Sequence, residues 1–182
     1  MTKNNTTKKT NAVEEAKKFA VCGRKKQEAG NLEGALKDYN SAIALDCSND
    51  ELYLMRGQVY QAQEELGKAL KDYKKALSMN PKCAHYYYNC GFIRYEQQEW
   101  DDAREYFAKA AELEPDHVFA QFMCGQACLH SLDLEKAVEC FNITERLGTL
   151  DDPFNLYLSR ASALLDLDRY EEARKDLEKT LT

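Results

Sequence analysis

From about residue 16 onward, apolar and polar positions in this chain alternate with a helical period. In GKALKDYKKALSMNP, Gly67 to Pro81, the residues Ala69, Tyr73, Ala76 and Leu77 fall at i, i+4, i+7 and i+8, one face of a helix. The stretch before it, LYLMRGQVYQAQ, is a second amphipathic segment, and together they predict a helical hairpin. Pro81 cannot continue the second helix, so it marks the turn into whatever follows.

That hairpin recurs. Ala35, Ala69, Ala103 and Ala137 are spaced by 34 residues, and Ala173 follows 36 further on. Twelve residues before each alanine stand Gly23, Gly57, Gly91, Gly125 and Ala161. Four after come Tyr39, Tyr73, Phe107, Phe141 and Leu177, and seven after come Ala42, Ala76, Ala110, Thr144 and Thr180. Twelve after come Cys47, Pro81, Pro115 and Thr149. Small residues at Gly57 and Ala69 let two helix axes approach, and the aromatic at 73 is expected to fill the space between neighbouring hairpins. Asp152 with Pro153 predicts an N-cap and first helical residue for the fifth hairpin, and Asn11 with Glu14 a similar start for the first.

This 34-residue pattern of small, small, aromatic and small positions resembles the tetratricopeptide repeat family over residues ~16 to 182. The second and third repeats keep the family's glycine, both alanines, aromatic and proline; the fourth keeps the glycine and first alanine but has Thr144 and Thr149 later, and the fifth has Ala161 for the glycine and stops early. The resemblance implies an all-α solenoid, a right-handed superhelix of about five helix-turn-helix units at roughly 12–49, 50–83, 84–117, 118–153 and 154–182, after a flexible polar tail at 1–11. No single hairpin can bury its apolar face, so stacking supplies the stability. Leu177 and Leu181 are expected to lie uncovered at the end of the stack, and the two-residue insertion near RLGTLDDP suggests a slightly different docking angle for the fifth unit.

Composition narrows the partners. The first eleven residues carry three lysines and no acid, which leaves the remainder at −9 from a whole-chain charge of −6. An acidic body repels nucleic acid and anionic lipid and favours a protein partner with basic flanks. No apolar run approaches the ~20 residues of a membrane span, and the N-terminus lacks a secretory core, so a cytoplasmic protein is expected. Seven cysteines then count as thiols.

The resemblance also places the first helix of each unit on the concave face. Once packing positions are removed, Leu54, Met55 and Gln58 remain in the second unit, Tyr88, Asn89, Phe92 and Tyr95 in the third, and Phe119, Phe122, Met123 and Gln126 in the fourth. Aromatics and Met at this density predict a groove for an apolar peptide or helix of another protein. Concave crowding, in which these rings pack on one another, is the competing expectation. Asn89 is a candidate for a peptide backbone, its amide both donating and accepting. Some family members clamp a chaperone's C-terminal carboxylate with Lys, Asn and Arg; here the matching slots hold Leu54 and Gln58, then Phe119 and Met123, so that ligand is not expected.

No metal or cofactor site is assigned. Cys124 and Cys128 share a helix face beside His130, but Cys22, Cys90 and Cys124 all precede the repeat glycine and Cys128 sits in a packing slot, which suits small buried hydrophobes. There is no nucleophile-base spacing, phosphate loop or HExxH, so the protein is expected to be a non-catalytic interaction module or adaptor. Two alternatives remain: a chaperone of the type III secretion kind, and an assembly subunit that self-associates through its C-terminal end.

Overall fold

The computed structural model describes residues 2–148 and 153–181, with side chains from Thr10 onward. Among the described residues there are ten α-helices and no strand. The chain forms two compact units, Met1–Lys82 and Cys83–Thr182.

The first unit holds α1 (Thr2–Glu28), α2 (Leu32–Leu45), α3 (Asp50–Ala62) and α4 (Leu66–Met79). The second holds α5 (Ala84–Glu96), α6 (Trp100–Leu113), α7 (Val118–His130), α8 (Leu134–Leu147), α9 (Phe154–Asp166) and α10 (Tyr170–Lys179). Odd-numbered helices open each hairpin and even-numbered ones close it, as the periodicity requires.

The N-terminal boundary differs from the cap pattern. The backbone is helical from Thr2, so Asn11 lies inside α1 rather than capping it, and the stretch 1–11 assigned as a polar tail carries helix from Thr2 onward. Nothing in MTKNNTTKKTN is a helix breaker, and its Lys and Asn tolerate the conformation. Pro153 stands at the N-cap of α9, one position earlier than a first-turn proline, while Asp152, Thr149 and the core of the inserted loop lie outside the described residues.

Every hairpin turns in the same way. Three residues separate its helices, and the middle one is left-handed: Gly30 at φ 75°, Glu64 at 60°, Gln98 at 60°, Leu132 at 61° and Asp168 at 59°. The next residue returns its N–H to a carbonyl five positions back, from Asn31 to Lys26, Glu65 to Tyr60, Glu99 to Arg94, Asp133 to Cys128 and Arg169 to Leu164, at 2.8–2.9 Å. This closing bond satisfies a carbonyl that the helix end would otherwise orphan.

The core is built from the repeat glycines and aromatics. Tyr39, Tyr73, Phe107 and Phe141 are fully buried. Each lies on the glycine of its own hairpin, closer than a β-carbon would allow: a Cβ on Gly57 would stand 2.6 Å from Tyr73 Cε1, and one on Gly125 2.6 Å from Phe141 Cε1. The ring therefore fills the gap within a hairpin, not only the space towards the next one as the spacing suggests. Tyr39 and Tyr73 also donate their hydroxyls to Gln27 and Gln61 at 2.9 and 2.8 Å, so their polar tips are satisfied at the core's edge. The fifth hairpin has Ala161 and Leu177 in these positions, and Leu177 is exposed, as is Leu181 (86%).

Candidate functional site

In the first unit, α3 carries the candidates Leu54, Met55 and Gln58, all half-buried. Met55 rests on the cluster of Ala35, Tyr39 and Val59. The neighbouring Arg56 reaches α4 and α2. It donates twice to Asp72 on α4, at 2.7 and 2.8 Å, and once to Asn40 on α2 at 2.7 Å, which locks three helices and fixes the rotation of α3.

In the second unit the candidates form a run of rings. Tyr88 packs against Phe107 at 5.6 Å and stacks on His117 at 5.3 Å and 24°, with Phe92 6.4 Å away on its own helix. Tyr95 meets Trp100 at 5.0 Å and His130 at 5.6 Å, and those two stack on each other at 4.4 Å. Phe122 lies 6.0 Å from Phe141. Tyr88, Phe92, Tyr95, Phe122 and Met123 are therefore half-buried, packed by one side on the core of this unit. Burial pushes the phenols of Tyr88 and Tyr95 above their ordinary value.

Phe119 is different: it is 56% exposed at the first turn of α7. On α9, Leu158 and Leu165 are 45% and 44% exposed. Gln126 donates to Ser159 at 2.8 Å, tying α7 to α9. Asn89 is buried, and its amide nitrogen is spent on the carbonyl of His85 in its own helix at 2.6 Å. The sequence reading offers this amide to a peptide backbone; in the structure the adjacent helix turn supplies an acceptor for one of its N–H groups.

A second constellation lies on the α7–α8 hairpin. The sulfurs of Cys124, Cys128 and Cys140 all fall within 4.8 Å of one another, and all three residues are buried. Hydrogen bonds from Cys124 and Cys128 lower the Cys140 thiol, which makes it the most acidic of the three, and the Lys136 ammonium acts in the same direction. The hydrogen bonds to Cys128 and Cys140, together with burial, raise the Cys124 thiol. Helical spacing had linked only Cys124 and Cys128, because Cys140 arrives from the other arm of the hairpin.

Family models described as TPR repeat match residues 23–64 and 57–98, and models described as tetratricopeptide repeat match 84–117 and 154–182. The chain belongs to the tetratricopeptide repeat family, folds as an all-α repeat solenoid, and is a protein-interaction module. Among solved structures, a crystal structure of MamA shares 23% identity at a TM-score of 0.84, covering 92% of this chain and 91% of that one. YrrB, described as a TPR protein with an unusual peptide-binding site, shares 23% identity at a TM-score of 0.79, covering 95% and 90%. Pseudomonas aeruginosa pilF shares 24% identity at a TM-score of 0.78, covering 94% and 77%. A comparison with curated proteins returned no match. Among the described residues, no helix is long and apolar enough to cross a membrane.

Proposed function

We propose that this protein is a non-catalytic adaptor that holds an apolar peptide segment or helix of a partner protein on the first-helix faces of its hairpins. The observation that carries this reading is Phe119: a phenylalanine more than half exposed on α7, the helix that also carries the half-buried Phe122, while α9 exposes Leu158 and Leu165. An apolar guest gains by covering this surface, at roughly 25 cal/mol per Å² less the cost of ordering itself. Within the second unit Tyr95, Met123 and Gln126 complete the set, and Leu54, Met55 and Gln58 on α3 offer a face of the same kind within the first unit. Asn89 contributes least, being buried with one amide N–H bonded to its own helix. The acidic body favours basic flanks on the guest. YrrB's description as peptide-binding is in keeping with this reading.

Selection from a displayed peptide library tests it. The expected winners carry two or more large apolar residues flanked by Lys or Arg. Phe119→Asp should weaken them about tenfold or more without lowering thermal stability, because the native side chain is exposed. Winners without apolar anchors, or binding indifferent to Phe119→Asp, would remove this function from the protein.

A further inference from the structure

The clustered Cys124, Cys128 and Cys140 occupy positions that the first, second and fifth hairpins use for charge; in the third these positions hold Cys90, Arg94 and Tyr106. The residue before the repeat glycine and the residue three after the repeat alanine are Arg56 and Asp72 in the second hairpin, and they form an ion pair at 2.7 Å. In the fifth they are Arg160 and Asp176, paired at 2.6 Å. In the first, Asp38 takes its cation from the position three after the glycine, Lys26, at 2.7 Å. In the fourth hairpin the same three slots hold Cys124, Cys140 and Cys128. In the first, second and fifth hairpins these slots cross-tie the two arms with charge. Small apolar packing does not account for three sulfurs converging there.

We propose that Cys124, Cys128 and Cys140 form a three-sulfur site for a soft monovalent cation, Cu(I), that ties α7 to α8 as the Arg–Asp pairs tie the second and fifth hairpins. Thiolates select soft cations. Three sulfurs about 2.3 Å from a common centre, the usual metal–thiolate distance, lie about 4 Å apart in a trigonal plane, so sulfurs already within 4.8 Å need to close by under about 1 Å. Zinc fits less well, because a structural zinc site closes with four ligands. Among the described residues the cluster contains these three sulfurs and no fourth His, Asp or Glu ligand. The surrounding Phe107, Phe141, Ala127 and Ala137 exclude water, which protects Cu(I) from oxidation. Binding releases thiol protons to solvent and changes no oxidation state. The positive charge of the ion offsets part of the thiolate charge, much as arginine offsets aspartate in the second and fifth hairpins.

The test is anaerobic titration of the full chain with Cu(I) against a chromophoric copper chelator, in a Cys22→Ser, Cys47→Ser, Cys83→Ser background that removes the thiols outside the core. One equivalent is expected to be retained, X-ray absorption is expected to count three sulfur neighbours, and the melting temperature is expected to rise with copper. Cys140→Ala, near in volume and checked for helicity, should lose both the retention and the rise. The site is overturned if the parent retains no copper, if Cys140→Ala binds it with the same sulfur count, or if two sulfurs are counted instead of three. Preferential retention of Zn(II) from an equimolar mixture overturns the choice of cation.

Discussion

Arg160 and Asp176 offer the sharpest test of how the fifth hairpin is held. The arginine is buried and its guanidinium makes four hydrogen bonds: Nε and Nη2 donate to the two Asp176 oxygens at 2.6 Å each, and Nη1 donates to Glu145 at 2.7 Å and Asn142 at 2.8 Å. Asp176→Ala leaves a buried cation without its bidentate partner, a change that typically costs about 3–5 kcal/mol. Glu145 and Asn142 remain to hold Nη1, which places the expected loss at the lower end, about 3 kcal/mol. Repeat arrays do not unfold all at once, so the loss should concentrate in α8–α10. Amide hydrogen exchange reports it directly, since 3 kcal/mol corresponds to about a hundredfold faster exchange. The double variant Arg160→Met, Asp176→Leu removes both charges together and should recover most of the loss, because an apolar pair of similar volume often replaces a buried ion pair at little cost. An Asp176→Ala loss under about 1 kcal/mol, or a double variant as unstable as the single, would refute the reasoning.

Gly125→Ala puts a β-carbon 2.6 Å from the buried Phe141 ring and should destabilise by about 1–3 kcal/mol in urea melts, the usual penalty for overpacking. The Glu145 carboxyl is held down to about 2 from an ordinary 4.5, first by its hydrogen bond to Arg160, against the opposing effect of burial, and with help from Lys179. A depressed acid stabilises the fold above its unfolded value, so this contribution should be intact at neutral pH and disappear between about pH 4.5 and 2; Glu145→Gln should flatten acid-unfolding curves over that window. Asn31 accepts from the Gly34 amide at 2.9 Å at the start of α2, and Asn31→Ala should cost about 1 kcal/mol in thermal melts.

The hairpin count and pairing were legible because Gly23, Gly57, Gly91 and Gly125 each meet an aromatic sixteen residues on, a constraint that leaves a periodic trace. The start of α1 was not, since a polar helix without a capped end looks like a polar tail. Candidate side chains were placed on the right helices, but their burial was beyond the helical period. Tyr88 and Phe122 lean onto Phe107 and Phe141 of the even-numbered helices, and no pattern within one helix reports that. Asn89 shows the same limit, because the carbonyl that claims it belongs to its own backbone. The cysteine cluster had a signal that single-helix spacing missed: repeat-to-repeat alignment shows Arg56 with Asp72 and Arg160 with Asp176 in the very positions of Cys124 and Cys140.

The left-handed turn residues also have a practical use. Four of the five are not glycine, and Leu132, 76% exposed, has no side-chain reason to prefer that backbone. A left-handed non-glycine residue costs roughly 1–2 kcal/mol, partly offset in a glycine variant by the greater freedom of the unfolded chain. Glycine at 64, 98, 132 or 168 would thus supply a graded series of proteins with untouched surfaces and stepped robustness, so that any loss of guest capture could be calibrated against folding alone.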